Sequence, residues 1–312
     1  MAARPRVPIK LRLKAWWDGC DVIVHQRKAK PAAIETPTRT VIGYRDPARP
    51  WETPRVKLAQ MLWGEGFSHP GGAEQALRLV KPFGLDPAMT VLDLSGGLGG
   101  GPRALVEQCG VWVTGLEHDR EFAEAGRQLS ILGGMAKKAD IGVFIAEKLD
   151  LRAGSIDCIT CRELFHTVAD KPRMLRIIEQ ALKPRGQFLF TDYMLADREK
   201  AGSESIRAWL DAEPAPVDLW SLDDFTRFLA DEKIEVRVTE DVTADFRRMV
   251  IGAWAELTAS TTGASLTPEL KACLVSELER WTRRIAAFDS GDLRVFRVYA
   301  LKNASSRMLS DW

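Results

Sequence analysis

The chain has 312 residues, of which 46% are hydrophobic and 28% charged, and a formal net charge of +1. This length fits one large α/β domain with appendages, and the composition excludes collagen-like and wholly disordered chains. No stretch reaches the roughly 18 consecutive apolar residues of a spanning helix, and the N-terminus lacks the apolar run of a secretory signal, so a cytoplasmic protein is expected.

Charge is unevenly spread. Residues 1–40 hold nine Lys/Arg, among them Arg4, Arg6, Lys10, Arg12 and Lys14, against Asp18, Asp21 and Glu35, which leaves +6 there and −5 in the remainder. Basic and apolar residues alternate in IKLRLKAWW, which ends on Trp16 and Trp17. Residues 1–54 therefore read as a basic arm. It either lies as an edge strand on the protein's own acidic body or directs residues 1–20 to an anionic membrane surface or acidic partner. Nucleic acid is disfavoured, because the rest of the chain is acidic and has no basic stripe.

From about residue 55 short apolar runs alternate with helical stretches. The runs are MTVLDLS (89–95), VWVTGLE (111–117), GVFIAE (142–147), DCITCRE (157–163) and GQFLFTDY (186–193). Helical patterns fall between them at 102–108, 120–133 and 171–183. Such alternation predicts a doubly wound, mostly parallel sheet with helices on both faces. Cys158 and Cys161 lie three apart in one of these strands, which sends them to opposite faces, so two buried structural thiols are expected rather than a metal or redox pair. No metal site is expected elsewhere.

After Tyr193 the pattern changes to a helical insert over 194–291. SESIRAWLDAE (203–213) is a helix candidate, Ser221 and Asp224 form a capping box, and IEVRVTE (234–240) is a strand. The stretch 245–289 reads as largely helical, with Thr267 as N-cap, Pro268 at the first helical position, and Leu270, Leu274, Leu278, Trp281 and Ile285 on one stripe. DLRVFRVYALK (292–302) makes the last of seven strands, the domain runs from 55 to 302, and 303–312 is expected to fray.

The richest segment is VLDLSGGLGGGPRAL (91–105), a strand entering a glycine-rich turn and then a helix. Such a turn lets a ligand approach backbone amides at a helix N-terminus. A pyrophosphate fingerprint fails at Leu98 or Pro102 according to where it starts, and no G-K-[ST] follows, which excludes a P-loop. The next strand ends in Glu117, about twenty residues on, where a carboxylate can accept both hydroxyls of a ribose. A nucleoside ligand is the reading.

VLDLSGGLGGG followed by GLEHD resembles the first motif and acidic loop of class I S-adenosylmethionine-dependent methyltransferases. WGEGFSHPGG (63–72), CRELFHTVADK (161–171) and LKPRGQFLFTDY (182–193) are similar to the phosphoethanolamine methyltransferase branch of the small-molecule enzymes. The resemblance implies a seven-stranded Rossmann-like fold with S-adenosyl-L-methionine as cofactor and a small-molecule acceptor. It places Asp93, Ser95 and the turn Gly97–Gly99 beside the cofactor's methionine moiety, with Ser95 where the family has its first glycine. Glu117 holds the ribose, His118 flanks the adenine, and Glu147 with Lys148 meets the adenine edge. Arg162 matches the family's arginine after the fourth strand, Ser68 and His69 match the loop that closes over the cofactor, and His166 takes the place of the catalytic histidine.

Transfer from a sulfonium is an in-line displacement, so a base is needed only for a protonated acceptor. The phosphobase enzymes place a tyrosine ahead of the first helix and an arginine and tyrosine in the region reading AEPAPVDLW here. Trp51, Ala215 and Val217 stand at these positions, while Tyr193 is retained. Losing a cation and a phenol removes donors for phosphate. Trp209 and Trp220 are candidates to wall an apolar or cationic acceptor, with core packing as the alternative. Two other readings are a lipid- or quinone-directed enzyme at a membrane surface and a cofactor-binding regulatory protein without turnover.

Overall fold

The computed structural model describes residues 49–262 and 265–303; Trp16, Trp17, the rest of the basic arm up to residue 48, and the tail after Asn303 lie outside the described residues. In chain order the elements are α1 (Pro54–Trp63), α2 (Gly72–Val80), β1 (Thr90–Asp93), α3 (Gly100–Cys109), β2 (Trp112–Glu117), α4 (Arg120–Leu132), β3 (Ala139–Val143) and β4 (Ile156–Arg162). There follow α5 (Lys171–Ala181), β5 (Leu182–Leu195), α6 (Glu204–Leu210), α7 (Leu222–Asp231), β6 (Ile234–Asp241), α8 (Thr243–Thr261), α9 (Pro268–Asp289) and β7 (Leu293–Lys302).

The sheet order is β3-β2-β1-β4-β5-β7-β6. Strands β1 to β5 are parallel, and β7 runs antiparallel between β5 and β6. The chain order reverses between β1 and β4, and at such a switch point the carboxyl ends of the strands open a crevice. The doubly wound, seven-stranded expectation is met.

Helices cover both faces because the inner strands are apolar on both sides. Cys158 packs with Leu79, Val91 and Leu105, whereas Cys161 packs with Phe165, Leu175 and Phe190 in the opposite layer. Both thiols are buried, and burial pushes that of Cys158 up to about 12, which leaves it an inert packing group. Among the described residues no His/Cys/Asp/Glu cluster has the make-up of a metal site, and no helix is long and apolar enough to cross a membrane.

A third apolar cluster lies over the carboxyl ends of the strands. There α1, α6, α8 and α9 pack on Tyr193, Leu195, Leu293 and Val295. The stripe foreseen on α9 (Leu270, Leu274, Leu278, Trp281, Ile285) is buried throughout, each side chain contributing about 1.5–3 kcal/mol from area removed from water. Described residues within the segment read as an arm are packed. Pro50 is buried, and Trp51 packs against this cluster, its carbonyl accepting from Gln60 Nε2 at 3.1 Å.

Candidate active site

The ends of β1, β2 and β4 and the loop joining α1 to α2 wall a cleft of about 200 Å³. Ser95, at the start of the glycine turn, lines it, and the turn itself is buried beneath Ser68. Gly97 and Gly99 have φ of 52° and 77°, the left-handed region that a side chain resists. A Cβ on Gly97 would also collide with Ser68 Oγ, which accepts the Leu98 N–H at 3.3 Å. The α1–α2 loop therefore lies directly on the turn.

Glu117 closes β2, nearly buried. Its Oε2 accepts the Gly97 N–H at 2.9 Å, its Oε1 accepts the Asp119 N–H at 2.9 Å, and Oε1 lies 3.1 Å from Nδ1 of the half-exposed His118. Burial raises its pKa above the ordinary carboxylate value, opposed by His118 and the two amides. His69 sits beside it in the cleft wall, its Nδ1 3.2 Å from Ser68 Oγ. Burial, aided by the charges of Arg162 and His118, drives the His69 pKa well below its usual value, so the ring is neutral.

Ser95 at the family's first glycine position is a strut. Its hydroxyl donates to Asp93 Oδ1 at 2.8 Å and accepts the Arg162 N–H at 2.8 Å, tying the end of β1 to the end of β4. The Arg162 guanidinium lines the cleft with Nη2 3.9 Å from Asp93 Oδ2, while its buried Nη1 has no hydrogen-bond partner in the protein. An orphaned charged donor of this kind is costly unless a ligand uses it.

Glu147 and Lys148 are exposed on the turn after β3 and line no part of this cleft. His166 is not among the residues that line the cleft; it is buried on the turn that follows β4. The buried Asp192 at the end of β5 organises that turn by accepting N–H groups of Leu164 (2.9 Å), Phe165 (2.6 Å) and His166 (3.3 Å), together with His166 Nδ1 at 2.9 Å. A carboxylate only accepts, so Nδ1 carries the proton and Nε2 presents the lone pair. The insert is tied to the same turn: the Asp218 N–H donates to the His166 carbonyl at 2.8 Å, and Lys171 Nζ bridges the Val168 carbonyl and Asp218.

Glu163 is the residue that sequence reasoning missed. It stands in the cleft wall between Arg162 and Leu164, has φ of 47°, and accepts the Thr191 hydroxyl at 2.9 Å. Burial pushes its carboxyl up to about 7, against the opposing pull of Arg162 and Thr191. Its place in CRELFH, directly after the family's arginine, was the only signal available.

The aromatic candidates separate. Trp220 packs on Phe225 (5.1 Å) and Phe228 (5.9 Å) in a different apolar cluster from the one that holds Trp51, Tyr193 and Trp209. Tyr193 stands edge-on to His166 at 4.8 Å and to Trp209 at 5.9 Å. Trp209 is fully buried, and its indole N–H donates to Glu213. A cage does form, but the chain supplies its own cation. The Arg284 guanidinium lies 4.6 Å from the Trp281 ring centre, 4.7 Å from Tyr193 and 5.6 Å from Trp209, and pairs with Glu213.

The chain is similar to several known methyltransferases. Phosphoethanolamine N-methyltransferase 3 of Arabidopsis thaliana is 26% identical over 191 residues, covering 61% of this chain and 38% of that protein. Phosphoethanolamine N-methyltransferase 2 of Caenorhabditis elegans is 30% identical over 142 residues, covering 44% and 32%. The chain thus spans little more than a third of the curated relatives it matches. Among solved structures, Haemonchus contortus phosphoethanolamine N-methyltransferase 2 in complex with S-adenosyl-L-methionine superimposes with a TM-score of 0.70 at 22% identity, over 85% of this chain and 61% of that one. Residues 71–232 match the family model described as a methyltransferase domain, more than half of the sequence. The chain belongs to the methyltransferase domain family, and its fold is that of the Haemonchus contortus methyltransferase.

Proposed function

We propose that this protein binds S-adenosylmethionine in the cleft at the ends of β1, β2 and β4 and directs methyl transfer to a small-molecule acceptor. The observation that carries this reading is the unused Nη1 of the cleft-lining Arg162, which fits a ligand carboxylate. Glu117 at the opposite wall fits a ribose, its two oxygens now held by amides of Gly97 and Asp119. When bound, the cofactor supplies a methyl group on an electrophilic sulfonium.

The chain's residues supply alignment, exclusion of water and proton removal. Ser68 and His69 overlie the glycine turn and shield it. For an acceptor that must lose a proton, Glu163 is a base in the cleft wall, with a pKa of about 7 suited to neutral pH. His166 is the second proton acceptor, oriented by Asp192 with Nε2 free to receive. Burial raises the hydroxyl pKa of Tyr193 above its usual value, so Tyr193 serves as wall and donor rather than base.

Replacing Glu117 with Ala should remove charge-assisted hydrogen bonds worth roughly 1.5–3 kcal/mol and weaken cofactor affinity by about one to two orders of magnitude. Calorimetry with S-adenosylhomocysteine measures this. A well-folded wild-type protein that binds neither cofactor form would sink the reading.

A further inference from the structure

We infer that the body of the acceptor seats in a second chamber, between α1 and α9, and that it is uncharged and apolar, with the bulk of one or two fused rings. The inference rests on the methyl-transfer reading, because it assigns that reaction's acceptor. The chamber measures about 200 Å³ and shares Arg55, Ser68 and Phe122 with the cofactor cleft, so the two adjoin across these side chains. Leu58, Leu62 and Trp63 line it from α1, each less than a tenth exposed, and Cys273 and Arg280 line it from α9. An apolar cavity of about 150 Å³ takes up one benzene ring, which sets the scale of the occupant.

Charge excludes the alternative of an anionic acceptor. Both guanidinium groups in the chamber wall are already compensated. Arg55 holds Asp119 at 2.6 Å and Glu121 at 2.9 Å, and lies 5.2 Å from the Phe122 ring centre. Arg280 pairs with Glu277, whose other oxygen accepts the Trp281 indole N–H at 2.9 Å. The nearby Arg284 is bound to Glu213. A phosphate or carboxylate entering here would meet no unpaired guanidinium and would have to displace one of these carboxylates to gain a charge partner. An apolar ring displaces only water.

The test uses the full chain saturated with S-adenosylhomocysteine, with 2-naphthol and phosphoethanolamine as probes and Cys273 as reporter. Alkylation by N-ethylmaleimide is followed by peptide mass spectrometry, with Cys109 as the control outside the chamber. Saturating 2-naphthol should slow alkylation of Cys273 by about tenfold or more and leave Cys109 unaffected, whereas phosphoethanolamine should protect neither. Ser276→Trp, which fills the chamber from an exposed position, should weaken 2-naphthol binding by about tenfold or more with unchanged affinity for S-adenosylhomocysteine. Failure to bind S-adenosylhomocysteine overturns the methyltransferase reading and this inference with it. Normal cofactor binding without 2-naphthol protection, with equal protection by phosphoethanolamine, or with no effect of Ser276→Trp overturns the seat alone.

Discussion

Glu163 and Asp192 are two carboxylates near the end of the same pair of strands, and their environments set different tasks. Asp192 is saturated with hydrogen bonds from the turn it organises, including the His166 ring. Glu163 has one hydroxyl donor and a burial penalty that holds its pKa at about 7. A group raised in this way is protonated below that value, so a reaction that needs it as base should gain rate as pH rises through about 7. Glu163→Gln should flatten that limb of the kcat/KM profile while leaving cofactor affinity in place. A limb that survives the substitution assigns the base to His166, where replacement by Ala should then lower turnover by about 10²–10⁴. Folding linkage runs the other way: the folded state holds the Glu163 proton more tightly than the unfolded chain, so this residue's contribution to stability falls as pH rises from about 4.5 to about 7. Neither effect was legible in CRELFH, because the shift arises from burial among Arg162, Thr191 and Asp192, which come together only in the fold. Ser95 was legible as a departure but not as a strut, since its acceptor and donor partners lie on two different strands.

At the scale of elements, local chemistry was readable wherever it decided the outcome. The capping box is present as foreseen, with the Ser221 hydroxyl and Asp224 carboxylate exchanging backbone bonds at the start of α7. Thr267 likewise caps α9, its hydroxyl accepting the Leu270 N–H at 3.2 Å. Thr267→Ala should cost about 1 kcal/mol, read as a lower urea midpoint at constant m-value. The strand expected at 142–147 was misplaced, and the reason is physical. β3 is the sheet's edge and spans Ala139–Val143, with Ala139 and Ile141 facing inward. Val143 and Ile145 are about half exposed, so the apolar run that marked the strand is partly a surface run. Apolar content predicts burial only where a second layer covers the residue, and at an edge it does not.

For the whole molecule, strand alternation sufficed for the fold class, because it is written in contiguous residues. The aromatic cage was illegible because it is assembled from distant segments: Arg284 of α9 meets Tyr193 of β5, Trp209 of α6 and Glu213 beyond it. This buried cluster fastens the insert to the sheet. Removing one member leaves a charge without its partner in a wall of aromatic rings. Glu213→Gln should therefore destabilise the protein by about 3–5 kcal/mol, since the Arg284 guanidinium stays charged and its Nε already lacks a hydrogen-bond partner. Substituting both ends, Glu213→Gln with Arg284→Met, should recover much of that loss, because a methionine fills the cage without a desolvation cost. Thermal unfolding of the single and double variants with S-adenosylhomocysteine affinity measured alongside separates the outcomes. A double variant no more stable than the single would show that the rings need the guanidinium for packing, and a single variant as stable as the parent would show that water reaches the pair.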